Sequence, residues 1–159
     1  VEEIEVNHVF QWDSTKEDAM TMTPENIAGI VADKDYAMQL SEKLYGAIMA
    51  ENRGLTHNSY KKVCEHFTFM KMYVRAFRLS ARGYCFGRYV EDNSKDAPLL
   101  GSTAGELLLQ VIEDLKVYRE DLPKYSFITK YPFDAQLNPE RVDYYLNDLT
   151  KIASKAGIL

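Results

Sequence analysis

From residue 57 to about residue 90 the chain holds a helical hydrophobic period longer than anything else in the sequence. Tyr60, Val63, Cys64, Phe67, Met70, Val74, Phe77, Ala81 and Tyr84 recur at steps of three and four, the spacing of one buried helix face. An unbroken helix over these residues is about 50 Å long. Thr56 or Asn58 is placed to cap its start. Gly83 and Gly87 interrupt good helix formers, at about 1 kcal/mol each. Four residues apart, they share a face and can admit a close neighbour; a kink is the rival reading.

The flanking segments are helical as well. Thr23-Pro24-Glu25 reads as an N-cap with proline at the first helical position. A short helix is expected from there to Val31. Asp33 then caps a longer one, whose inward face is Tyr36, Leu40, Leu44, Ala47 and Ile48, ended by Gly54. Residues 91–102, with Pro98 and Gly101, read as a loop. Thr103 and Glu106 form a capping box. Leu108, Val111, Ile112, Leu115, Tyr118 and Leu122 follow on one face until Pro123. Asn138-Pro139-Glu140 opens the last helix, with Val142, Tyr145, Leu146, Leu149, Ile152 and Ala153 inward and Gly157 at its end. The expectation is an all-α bundle of four substantial helices plus a short N-terminal one, a single domain over residues 23–159. Residues 1–22 are expected to be an extended arm. It either straps the core through Phe10 and Trp12 or docks on a neighbouring subunit.

At 159 residues, with 46% hydrophobic and 27% charged side chains, the chain has the composition of a globular domain rather than a disordered tail. No apolar run approaches the roughly 20 residues that span a bilayer, so no membrane is expected. Glu2, Glu3 and Glu5 lack the basic-then-apolar order of a secretory signal. A cytoplasmic location is the expectation, with a processed exported protein as the alternative. Cys64 and Cys85 on one helix lie about 30 Å apart and cannot bridge each other.

Familiar catalytic patterns are missing from the sequence. Of His8, His57 and His66 only His8 stands three residues after a glutamate, Glu5, whereas a di-iron bundle requires such a pair on each of two helices. Cys64, Glu65 and His66 are consecutive, so on a helix they diverge by about 100° per residue. Cys64 and His57 share a face but lie about 10 Å apart. Gly101 to Gly105 precedes a helix start yet lacks the lysine of a P-loop. No metal, cofactor or catalytic residue is assigned.

Charge is distributed unevenly. Residues 1–56 carry 11 acidic and 4 basic side chains, residues 57–90 carry 1 and 7, and residues 91–159 carry 12 and 8. Lys71, Arg75, Arg78 and Arg82 form one stripe of the long helix, about 100° from the face of Met70, Val74, Phe77 and Ala81. The leading expectation is internal ion pairing, with Glu42, Glu113 or Asp114 as partners. The rival is an anionic partner, for which Phe69, Met72, Tyr73, Phe86 and Tyr89, off the main apolar face, either supply stacking surfaces or bury equally well against a further helix. Exposure of the arginines without acidic neighbours favours the rival, and internal pairing disfavours it. A pI near 5.2 argues against a general nucleic-acid binder.

Tyr125, Phe127, Ile128, Tyr131 and Phe133 crowd a loop of about fifteen residues, either closing the bundle end or forming a recognition surface. The leading functional expectation is a non-enzymatic interaction or assembly protein. Its candidate contacts are Lys71, Arg75, Arg78, Arg82, Tyr125, Phe127, Tyr131 and Phe133, and its expected partner is another protein or a second copy. RNA or single-stranded DNA binding through the long helix is the alternative. A small-ligand carrier or an enzyme with a pocket between helices is the third.

Overall fold

A computed structural model describes residues 22–51, 56–124 and 139–159. Residues 1–21 of the arm expected over 1–22, and the loop aromatics Tyr125, Phe127, Tyr131 and Phe133, lie outside the described residues. The architecture is an all-α helical bundle. Its elements are α1 (Pro24–Glu51), α2 (His57–Asp92), β1 (Pro98–Leu99), β2 (Ser102–Thr103), α3 (Ala104–Asp121) and α4 (Pro139–Lys155). No described helix is long and apolar enough to cross a membrane.

The first departure from expectation is α1, one continuous helix of 28 residues instead of a short and a long one. Val31-Ala32-Asp33-Lys34 contains no glycine or proline, so nothing stops propagation. Asp33 lies exposed inside the helix, where its low propensity costs only a few tenths of a kcal/mol. The inward face differs accordingly. Ile27, Val31 and Ser41 are buried, while Tyr36, Leu40 and Leu44 are 61%, 46% and 45% exposed. Ala47 is exposed too, and Ile48 is half-buried. Ser41 donates its hydroxyl to the Met38 carbonyl at 2.8 Å, which lets a polar side chain sit in the α1–α2 seam.

α2 is the spine. Its 36 residues give about 54 Å of helix, started by Thr56, whose hydroxyl accepts from the Ser59 N–H. α1 runs antiparallel along one side, so that Asp35 meets Arg78 and Arg82 while Met49 meets Cys64 further toward the α2 start. α3 and α4 cover an adjacent side over the second half of α2. Its fully buried face is therefore Met72, Ala76, Leu79, Gly83, Phe86 and Val90. Met70, Val74, Phe77 and Ala81, expected to form that face, are half-buried. Neighbours on two sides leave α2 with two partly apolar flanks, and periodicity cannot rank them.

The loop after α2 contains a short hairpin in which Pro98 pairs with Thr103 and Leu99 with Ser102. Leu100 (φ 50°) and Gly101 (φ 79°) at its tip are both left-handed, as a two-residue primed turn requires. β2 delivers the chain to the α3 capping box. The Thr103 hydroxyl accepts from the Glu106 N–H, and the Glu106 carboxylate accepts from the Thr103 N–H. Thr103→Ala is expected to cost about 1 kcal/mol, read as a lower urea midpoint with an unchanged m-value. At the other end, the Ile158 N–H donates to Ala153 O (2.8 Å) and Gly157 N–H to Ser154 O (3.1 Å). Gly157 at φ 68° thereby closes α4 in a Schellman turn.

Leu108, Val111, Ile112, Leu115 and Tyr118 from α3 meet Val142, Tyr145, Leu149 and Ile152 from α4 on the α2 face. The two tyrosines of this α3–α4 set are satisfied by backbone. Tyr145 donates to Ser80 O at 2.7 Å and Tyr118 to Met72 O at 3.4 Å, which ties α4 and α3 to points about two turns apart on the spine.

Candidate interaction surfaces

The basic stripe of α2 faces inward to acidic neighbours. Arg78 Nε lies 2.6 Å from Asp35 Oδ1, and Arg82 Nη2 lies 2.8 and 2.7 Å from the two oxygens of the same carboxylate. Arg75 Nη1 is 2.8 Å from Asp121 Oδ2 and its guanidinium lies 5.2 Å from the Tyr118 ring centre. Lys71 Nζ sits 4.6 Å over the Tyr45 ring. The three arginine side chains are only 26%, 29% and 18% exposed. Internal pairing was the expectation, but Asp35 and Asp121 supply it, not Glu42, Glu113 or Asp114. The antiparallel register of α1 on α2 selects Asp35. Glu113 pairs with Lys116 on its own helix, and Asp114 accepts from Gln110.

These pairs move the carboxyl groups in the direction of charge stabilisation. Burial pushes the Asp35 carboxyl up, but hydrogen bonds and charge from Arg78 and Arg82 together outweigh it and leave it below its ordinary value. Asp121 is held low by its hydrogen bond to Lys124 and then by Arg75. On the α3–α4 seam a hydrogen bond from Arg119 to Asp143, 2.7 Å at Nε, raises the guanidinium further.

The side chains proposed to stack on bases are mostly occupied. Met72, Phe86 and Tyr89 are buried. Phe69 stacks on Tyr73 at 5.8 Å, and Tyr73 meets Phe77 edge-on at 4.9 Å. The α3 N-terminus is filled by its own residue. The Glu106 carboxylate takes hydrogen bonds from Ser102 and Thr103, which hold it below the usual range. Among the described residues no three His, Cys, Asp or Glu side chains converge as metal ligands. Cys64 Sγ lies 3.5 Å from Met49 Sδ, and Cys85 is buried.

The surface that sequence reasoning missed is the outer face of α1. Ala28, Gly29, Ala32, Tyr36, Leu40, Leu44 and Ala47 are all exposed on it, while the inner face packs on α2. Three large apolar side chains at i, i+4 and i+8 make one continuous stripe. The signal was present in Ile27 and Val31. Carried through Asp33 without a break, their phase places residues 38, 41 and 45 inward and residues 36, 40 and 44 outward.

Comparison with protein-family models, with curated proteins and with solved structures gave no match.

Proposed function

We propose that this chain is a non-enzymatic interaction or assembly protein that binds another protein through the outer face of α1. The observation that carries the reading is the stripe of Tyr36, Leu40 and Leu44, each 45% exposed or more. Single exposed apolar residues are ordinary, but a contiguous stripe along a helix is the surface an interface uses. The other face of α1 is already committed to α2, so the stripe serves nothing inside the described fold.

Nucleic-acid binding has less support. It needs free guanidiniums, and Arg75, Arg78 and Arg82 are held by Asp121 and Asp35.

The test places a photo-cross-linking phenylalanine derivative at Tyr36 of the full chain in its native cells. An intermolecular protein adduct that disappears on adding Leu40→Asp is the expected result. Absence of any adduct, or one confined to the chain's own residues 1–21, overturns the reading.

A further inference from the structure

We infer that the occupant of the α1 outer face is a second copy of this chain, docked α1 against α1 in antiparallel orientation about a two-fold axis between Tyr36 and Leu40. The inference rests on the reading of that face as a protein-binding surface and goes further by naming what binds.

Side-chain size selects the orientation. The outward positions of the first half of α1 are small, with Ala28, Gly29 and Ala32. The large ones, Leu40 and Leu44, lie in the second half. Parallel self-pairing stacks small on small and leaves a gap where helices should touch. Antiparallel pairing instead sets Tyr36 on Leu40, Ala32 on Leu44 and Gly29 on Ala47 of the second copy, each twice by symmetry. The seam from residue 29 to residue 47 is about 27 Å long, and Gly29, Ala32, Tyr36, Leu40, Leu44 and Ala47 recur at steps of three and four, the spacing of paired helices.

Charge selects the same register. Asp33 and Lys43 are both exposed, and neither has an ion-pair or hydrogen-bond partner among the described residues. The register that pairs Tyr36 with Leu40 puts each Asp33 opposite the second copy's Lys43, making two ion pairs. A parallel arrangement would set aspartate on aspartate and lysine on lysine, which repel. Glu25 meets Glu51 only at the solvent-exposed ends, where salt screens them.

Gly29 is a third, separate indication. A Cβ built there meets nothing within 4 Å, so packing among the described residues does not explain a residue that costs about 1 kcal/mol in a helix interior. Against Ala47 of a second copy it permits close backbone approach.

Sedimentation equilibrium of the full chain across a wide concentration range is the test, with circular dichroism as a check that each variant stays folded. The wild type should show a concentration-dependent monomer–dimer equilibrium, and Leu40→Asp should be monomeric. Asp33→Lys and Lys43→Asp should each weaken the dimer roughly tenfold, since each turns two attractive pairs into repulsive ones. The double charge swap should restore it, a pattern a parallel dimer does not give. A wild type monomeric at every concentration overturns the inference, as does a dimer that survives Leu40→Asp. The Tyr36 cross-link then separates the two readings. An adduct at the mass of a different protein keeps the protein-binding reading and discards self-pairing, and no intermolecular adduct discards both.

Discussion

Replacing Asp35 by alanine is expected to destabilise the fold by about 2 kcal/mol, far more than removal of an ordinary surface carboxylate. One carboxylate holds two guanidiniums, through Arg78 Nε at 2.6 Å and Arg82 Nη2 at 2.7 Å. Without it two positive charges face each other in the α1–α2 seam, at 29% and 18% side-chain exposure. Arg82 Nε is buried and already has no hydrogen-bond partner among the described residues, so this side chain has little left to lose. Removing one partner of a fully buried pair costs about 3–5 kcal/mol, and an exposed pair is worth under about 1 kcal/mol. The half-buried cluster falls between them. Urea denaturation at neutral pH measures the difference. Adding Arg82→Met to Asp35→Ala should recover part of it, because an apolar side chain fills the seam without an unpaired charge.

The pH dependence follows from the Asp35 carboxyl lying below its ordinary value in the folded chain. A depressed carboxylate contributes stability that is fully present above the unfolded value, about 3.8, and is lost as pH falls through the lower folded value. The gap between wild type and Asp35→Ala should therefore be constant near neutrality and close in acid below about pH 4. A gap unchanged down to the acid transition would show that the carboxylate charge is not what holds the seam.

Asp35 also marks how far the sequence could be read. Helix ends governed by local chemistry were legible. Thr56, the Thr103–Glu106 box, Pro139 and Gly157 each act within a few residues of their own position, and each stands where expected. The inward faces of α3 and α4 were legible for a related reason. Each of these helices has one apolar stripe, so its phase has one solution. α1 carries two stripes, one through Ile27 and Val31 and another through Tyr36, Leu40 and Leu44. Breaking the helix at Asp33 detached the second from the phase of the first and turned it inward. The break rested on an N-cap preference, which is weak beside propagation through residues that all tolerate a helix.

Which carboxylates pair with the basic stripe is a different kind of question. It depends on how α1 slides along α2, a register fixed by contacts far apart in sequence, such as Asp35 with Arg82 and Met49 with Cys64. No local pattern encodes that offset. The same ignorance left Phe86, Met72 and Tyr89 open between stacking and burial in the sequence reading, and the fold buries them. The candidate surface inherits both effects, because an outer face becomes visible only once the inner one is fixed.

Gly83→Val is expected to cost about 3 kcal/mol, roughly 6–12 °C in Tm for a chain of this size. The usual gain from replacing a helical glycine is reversed here by what lies against it. A Cβ at Gly83 would stand 2.7 Å from Tyr145 Oη and 2.8 Å from Leu149 Cδ1, inside any real contact distance. Neither neighbour can give way cheaply. Tyr145 is fully buried and its hydroxyl is anchored to Ser80 O at 2.7 Å, while Leu149 is fully buried beside it. The clash therefore has to be relieved by moving α4 off the spine, which opens the seam that Val142 and Ile152 also fill. Gly46→Ala supplies the contrast within the same fold. Its Cβ would meet nothing within 4 Å, so that substitution should stabilise by about 1 kcal/mol on helix propensity alone. Thermal melts of the two variants should move in opposite directions. A double-mutant cycle tests the cause more closely. Tyr145→Phe removes the Oη that a Cβ would strike, so Gly83→Ala should cost less in that background than in the wild type. Strict additivity of the two substitutions would mean that close approach of Tyr145 is not the reason glycine occupies position 83.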